Sequence, residues 1–337
     1  MKKKRFAALL IAAPLTLFAA CSSTPSLELN QNWFSNTGEK NIPADFEETL
    51  EYAVSFEKSD SALKGKYYMD YPEGGTYKTT FKSAAGSNGQ MKYVYETELS
   101  VKVQYTLNGA STEPMESTVT THVEFLEAQN NLKPLLSRRE AHGPVPIAEP
   151  YNPPASLEKA YNQYDYKVEI AYDHDASKAD FAITYFSPSP EESEEGQSYS
   201  EHKQIKLKSF CFDNEQLIPV LRAAELSSSM PLYAIDFTTK TLEKISVKNK
   251  PTNLDSWKQS VKFKGDETAV ERDFKVTTIG IAYGKKNSGG THTYTLARRS
   301  DSADSNTYRN VVLKYSYPVI YSHGTTVYNL VAANFYN

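Results

Sequence analysis

Between Lys92 and Leu107 apolar and polar residues alternate over most of the run. Tyr93, Tyr95, Leu99, Val101, Val103, Tyr105 and Leu107 share one parity, while Lys92, Glu96, Glu98, Ser100, Lys102 and Gln104 take the other. A period of two marks a half-buried strand. At about 3.4 Å per residue this one is near 50 Å long. So long a strand with one polar face needs a broad antiparallel sheet beside it and a covered inner face. The same alternation recurs at Leu50, Tyr52, Val54 and Phe56, and at Tyr164, Tyr166, Val168, Ile170 and Tyr172. Shorter candidate strands are 76–83, 118–125, 180–186, 204–212, 232–238, 274–283, 291–298, 310–317 and 326–333. Turn signals separate them, among them Pro72-Glu73-Gly74-Gly75, Gly86-Ser87-Asn88-Gly89, Asn108-Gly109 and Asn287-Ser288-Gly289-Gly290.

One segment breaks the rhythm. Asp213 and Gln216 have the spacing of a capping box. Leu217, Val220, Leu221 and Ala224 follow at helical spacing, with Arg222 and Glu225 on the opposite side. Pro219 is awkward inside a helix and suits its first turn. The fold expected is mainly β: one large curved antiparallel sheet or open half-barrel, with one α-helix near 213–226 packed on its concave face. The alternative is two sandwich-like lobes parted at Ser187–Ser200, where Pro-Ser-Pro precedes four glutamates.

The N-terminus reads differently. Lys2 to Arg5 are basic, Phe6 to Ala20 carry no charge, and Leu17-Phe18-Ala19-Ala20-Cys21 follows. A basic start and a short apolar run make an export signal. Fifteen apolar residues are too few for the roughly 20 that cross a bilayer as a helix. Small residues directly before a thiol resemble a bacterial lipobox, although Phe18 stands where leucine is usual. Cys21 is therefore the expected lipidation site, anchoring the chain to a membrane of a bacterial cell envelope on its extracytoplasmic side. The division expected is 1–20 signal peptide, 21–43 tether and 44–337 one β-rich domain, with 187–200 the one place considered for a subdivision. Lipidation of Cys21 would leave Cys211 alone, flanked by Phe210 and Phe212 as a buried small apolar residue. A formal net charge of -4 argues against a nucleic-acid partner, and a mean hydropathy of -0.55 against a bundle of membrane helices.

The chain carries no nucleotide-binding glycine loop, no nucleophile elbow and no histidine pair at metal-ligating spacing. No metal or cofactor is expected. Asp173-His174-Asp175 reads as a polar turn. The 24 tyrosines are the remaining clue. They suit the pleated surface of a sheet, and they also stack on sugars or cover apolar chains while their hydroxyls hydrogen-bond. Tyr95, Tyr105, Tyr166 and Tyr172 sit on the apolar parity of the long strands and are the candidate ligand-lining residues.

The order of elements carries a resemblance. A lipobox, long meandering strands, Phe212-Asp213-Asn214-Glu215-Gln216-Leu217-Ile218-Pro219-Val220-Leu221-Arg222, further strands and a closing Tyr317-Pro318-Val319-Ile320-Tyr321-Ser322-His323-Gly324 resemble the bacterial half-barrel envelope proteins. These include the outer-membrane lipoprotein carriers and related exported proteins. The resemblance implies a sheet curled around a helix and an apolar ligand within it. Two function classes follow: a non-catalytic binding or envelope-assembly lipoprotein holding a lipid or glycan, and an extracellular hydrolase acting on glycan or peptide through carboxylates brought together in space.

Overall fold

The computed structural model describes residues 46–86, 89–127, 131–186, 199–224, 232–237, 239–248, 255–283, 291–297 and 310–336. The lipobox with Cys21, the tether and most of the acidic stretch lie outside them. The described residues are dominated by strands. These are β1 (Glu47–Lys58), β2 (Tyr67–Asp70), β3 (Gly75–Ala85), β4 (Met91–Leu107), β5 (Ala110–Ser111), β6 (Met115–Leu126), β7 (Pro134–Pro146), β8 (Tyr161–Asp173) and β9 (Lys178–Tyr185). Then come β10 (Tyr199–Lys206), β11 (Cys211–Asp213), β12 (Leu232–Asp236), β13 (Thr241–Lys248), β14 (Asp255–Phe263), β15 (Val270–Tyr283), β16 (Thr291–Ala297), β17 (Val312–Pro318) and β18 (Gly324–Tyr336).

The long alternating segment is β4, and its parity is the burial pattern: Tyr93, Tyr95, Val101, Val103 and Tyr105 are buried. Antiparallel ladders run β10–β9–β8–β7–β6–β4–β3–β1–β18–β17–β16–β15. Because β10 returns on β9, the acidic stretch does not divide the sheet into two lobes. Asn108 and Gly109, both at positive φ, make the tight β4–β5 turn.

The sheet curls hard. β3 and β17 are three strands apart through β1 and β18, about 14 Å in a flat sheet at ~4.8 Å per strand. Yet the Tyr77 and Tyr315 rings lie 5.9 Å apart. At one end the curl closes. β14 pairs antiparallel with β15 and, through Lys262 and Phe263, parallel with Ala332 and Ala333 of β18, making a small barrel of β14 to β18. Where β17 and β18 part, Gln259 fills the gap: its Nε2 donates to the carbonyls of Leu313 and Leu330, at 3.2 and 2.7 Å. At the other end, β10 comes back beside β13, where Lys240 pairs with Glu201.

The packed helix is shorter than its sequence pattern predicts. α2 covers Leu217–Ala223, with Gln216 rather than Asp213 in the cap position. Asp213 instead ends β11. Its carboxylate accepts from the Glu215 amide at 2.9 Å and from the Tyr172 hydroxyl at 2.6 Å. Pro219 falls in the first helical turn, where its missing N–H costs nothing. The whole of α2 is buried, including Arg222, which the helical pattern had turned away from the core. Arg222 binds Glu48 of β1 through both guanidinium nitrogens, at 2.5 and 2.7 Å, and each side chain is only 1% exposed. A second helix, α1 (Asp60–Lys64), is a single capped turn that the strand pattern concealed, with the Ser59 hydroxyl accepting from the Ala62 amide.

Two apolar cores result. The larger lies between α2, β1–β4, β6 and the small barrel. The smaller gathers Val168, Ile170, Phe181, Ile183, Ile205, Cys211 and Ile235 under β8 to β12. Cys211 is the small buried residue expected, and burial pushes its thiol up to about 12.

Candidate functional site

One row of the concave face keeps part of its surface accessible. Register aligns one row across six strands: Tyr77 on β3, Leu99 on β4, Val119 on β6, Ala141 on β7, Tyr166 on β8 and Tyr185 on β9. All six are half-buried, whereas their neighbours one step along the same face, such as Thr79, Thr97 and Thr121, are buried. At ~4.8 Å between strands the row is about 24 Å long. Its middle is aliphatic and its ends are aromatic.

A second wall faces it. Tyr283 of β15, His292 of β16 and Tyr317 of β17 are half-buried and joined in a chain of rings, with centroids 5.0 Å apart for Tyr283 and His292 and 5.9 Å for His292 and Tyr317. Burial pushes the Tyr77 hydroxyl up to about 12 and the Tyr283 hydroxyl well above the usual range, and it holds His292 down to about 4.

Arg139 and Glu215 stand between the walls. Arg139 Nη1 donates to Glu215 Oε1 at 2.7 Å, Nε donates to the Tyr166 hydroxyl at 3.2 Å, and the guanidinium lies 4.5 Å from the Phe237 ring centre. Each partner of the ion pair is 18% exposed. Burial works against the Arg139 charge, but Glu215 and Tyr166 hold the guanidinium protonated. The Glu215 charge reaches Tyr77, Tyr283 and Tyr294, while Arg139 feels Tyr317. In a flat sheet β7 and β17 would be about 29 Å apart, six strand spacings at ~4.8 Å, and the curl brings them close enough for Arg139 to feel Tyr317.

Of the sequence candidates, Tyr166 alone keeps accessible surface on the strip. Tyr95 is 1% exposed and packs on Phe81, and Tyr105 is 0% exposed between Tyr67 and Tyr161. Tyr172 is buried and committed to Asp213. All four have the inward parity, but alternation reports the face and not whether something covers it. The structure adds Arg139, Glu215, Tyr77, Tyr283, His292 and Tyr317 to the candidates, and of these only Tyr77, Tyr283, His292 and Tyr317 carry a sequence signal, as inward-parity residues near strand ends.

Asp173-His174-Asp175 is the polar turn expected, with Asp173 accepting from the Ala176 amide and His174 bonded to the Pro134 carbonyl. Among the described residues no group of three or more acidic, histidine or cysteine side chains could hold a metal ion, and no helix is long and apolar enough to cross a membrane.

Asp213 supplies a pH handle on the loop that carries Glu215. Burial raises its carboxyl to about 6, with the Tyr172 hydrogen bond opposing and the Glu215 charge adding to it. A carboxyl whose folded value exceeds its unfolded one stabilises the fold below the unfolded value, and the contribution is lost as pH rises through the folded value. Between about pH 4 and 6, wild type should therefore lose about 2–3 kcal/mol that Asp213→Asn does not lose. Urea titrations of both proteins across this window check it, and parallel pH profiles would refute it.

The comparisons with known proteins concern shape. A crystal structure of a β-barrel-like protein of a domain of unknown function, DUF1849, from Brucella abortus aligns with a TM-score of 0.45 and 11% sequence identity, covering 87% of this chain and 98% of that one. No protein-family model matches the sequence, and no curated protein matches it.

Proposed function

We propose that this chain is a lipid-anchored, extracytoplasmic binding protein that holds an apolar ligand between the tyrosine walls of its curled sheet. The observation that carries the reading is the strip Tyr77–Leu99–Val119–Ala141–Tyr166–Tyr185, half-buried across six strands and faced by desolvated rings. Ligand sites are concave and mostly apolar, with a few placed polar groups, and Arg139 and Glu215 are such groups. The hydrolase alternative has less to draw on. Glu215 is held by Arg139 at 2.7 Å, and Asp213 is 1% exposed behind it, so neither is presented as a free acid or base.

The lipobox supports the anchor and the localisation. Purification of the chain from its host membrane, followed by native mass spectrometry, tests both parts. An N-terminal Cys21 carrying a diacylglyceryl group and a co-purifying apolar molecule are expected. A chain beginning at Met1 without lipid would defeat the anchor, and a ligand-free interior that takes up no hydrophobic probe would defeat the binding role.

A further inference from the structure

The strip does not treat all apolar ligands alike, because a charged group flanks it at β7, one step along the strand from Ala141, and still has an unused hydrogen-bond donor. Arg139 has five N–H donors. Nε is given to Tyr166 and Nη1 to Glu215, while Nη2 meets no partner among the described residues and the side chain keeps accessible surface. The Phe237 ring fixes the plane of the guanidinium from one side at 4.5 Å. Nε, Nη1 and one face of the group are thus committed, and Nη2 remains for a ligand. Two residues along β7 from Arg139, on the same face, is Ala141. Cross-strand from it run Val119 and Leu99, three short aliphatic side chains in line.

We propose that Arg139 anchors the anionic head of a single-chain amphiphile, whose tail lies along Ala141, Val119 and Leu99. This rests on the binding role proposed above. A carboxylate is the complement of a guanidinium edge, and such a pair is stronger than a neutral hydrogen bond. The width of the site argues for one chain: the aliphatic floor is a single row. Glu215 is then the resident counter-ion. It neutralises Arg139 in the empty state, with the Asn214 amide also donating to it at 3.4 Å, and it competes with the ligand for the guanidinium. Asp236, whose charge acts on Tyr283 and His292, also works against an anion. Removing Glu215 should therefore tighten binding rather than weaken it.

Isothermal titration of the full chain in lipid nanodiscs, with empty nanodiscs as the blank, separates the outcomes. The probes are decanoate, decanol and decyltrimethylammonium, which share a tail and differ in the head. Decanoate is expected to bind more tightly than the other two. Arg139→Gln should weaken decanoate roughly tenfold to a hundredfold and decanol far less, and its thermal melt, read beside wild type, shows that the variant is folded. Arg139→Lys should retain part of the affinity, and Glu215→Gln should increase it. Equal binding of decanoate and decanol overturns the anchor and leaves the apolar binding role standing. Tighter binding of decyltrimethylammonium, lost in Glu215→Gln, overturns it in favour of Glu215 as the recognising group. Binding of none of the three overturns the binding role itself and this proposal with it.

Discussion

Arg222→Met is expected to cost the fold about 3–5 kcal/mol, the price of leaving a buried carboxylate without its partner. Arg222 and Glu48 are each 1% exposed and joined by two short hydrogen bonds. Tyr52 and Tyr95 crowd the same place and gain nothing from a bare Glu48 charge. The pair joins α2 to β1 across 174 positions of sequence, so its loss frees the helix from the strand that closes the sheet. Replacing both partners by apolar residues, Glu48→Leu with Arg222→Met, should recover most of the loss, because desolvation of the pair is then no longer required. Chemical denaturation of the two single variants and the double variant checks this. A double variant as unstable as the sum of the singles would show that the two charges are not coupled.

Tyr105→Ala and Tyr166→Ala should part company. Tyr105 is 0% exposed and stacked on Tyr161 at 5.2 Å and Tyr67 at 6.3 Å, so its removal leaves a cavity costing about 3–5 kcal/mol. Tyr166 is half-buried on the strip and holds Arg139 Nε. Its removal should cost about 1 kcal/mol of stability, with a clear loss of ligand retention. Thermal melts and native mass spectrometry of the two variants read both quantities. Equal stability losses would mean that Tyr166 is core as well, and the strip would then be closed at that end.

The strands were legible where one face is apolar. β4 and β8 follow their alternating residues, and β3, β6, β9, β12 and β15 to β18 fall within a few positions of the runs that signal them. β7 was not legible, and its inward face explains why. Ser137, Arg139 and Ala141 point inward there, and Pro134, Pro144 and Pro146 punctuate the strand. An inward face that meets a polar cluster has no period-two hydrophobicity to show. The strand that carries Arg139 is hidden by the same side chains that suit it to the role proposed above. Arg222 was misplaced for a related reason. A charged residue opposite an apolar stripe reads as solvent-facing, and only its buried partner, 174 positions away, says otherwise. The four inward tyrosines share one parity, and what divides them is the neighbour that covers each: Phe81 packs on Tyr95, Tyr67 and Tyr161 flank Tyr105, and Asp213 holds Tyr172, none of them adjacent in sequence to the ring it covers.

The pairing of β1 with β18 also governs how the chain reaches this state. Lys58 sits beside Gly324 and Glu47 beside Tyr336, and the Tyr52 hydroxyl donates to the Val312 carbonyl at 2.9 Å. The contacts that complete the sheet therefore join segments at opposite ends of the sequence. Loops that long are entropically costly to close before any contact rewards them, and folding dominated by such contacts is slow. Until β18 arrives, one edge of β1 is an open row of amides and carbonyls able to pair with any other extended chain. A newly made copy is thus most vulnerable to its own neighbours during the interval before residues 324–336 take their place, and a helper that holds extended chains apart would protect it at that stage.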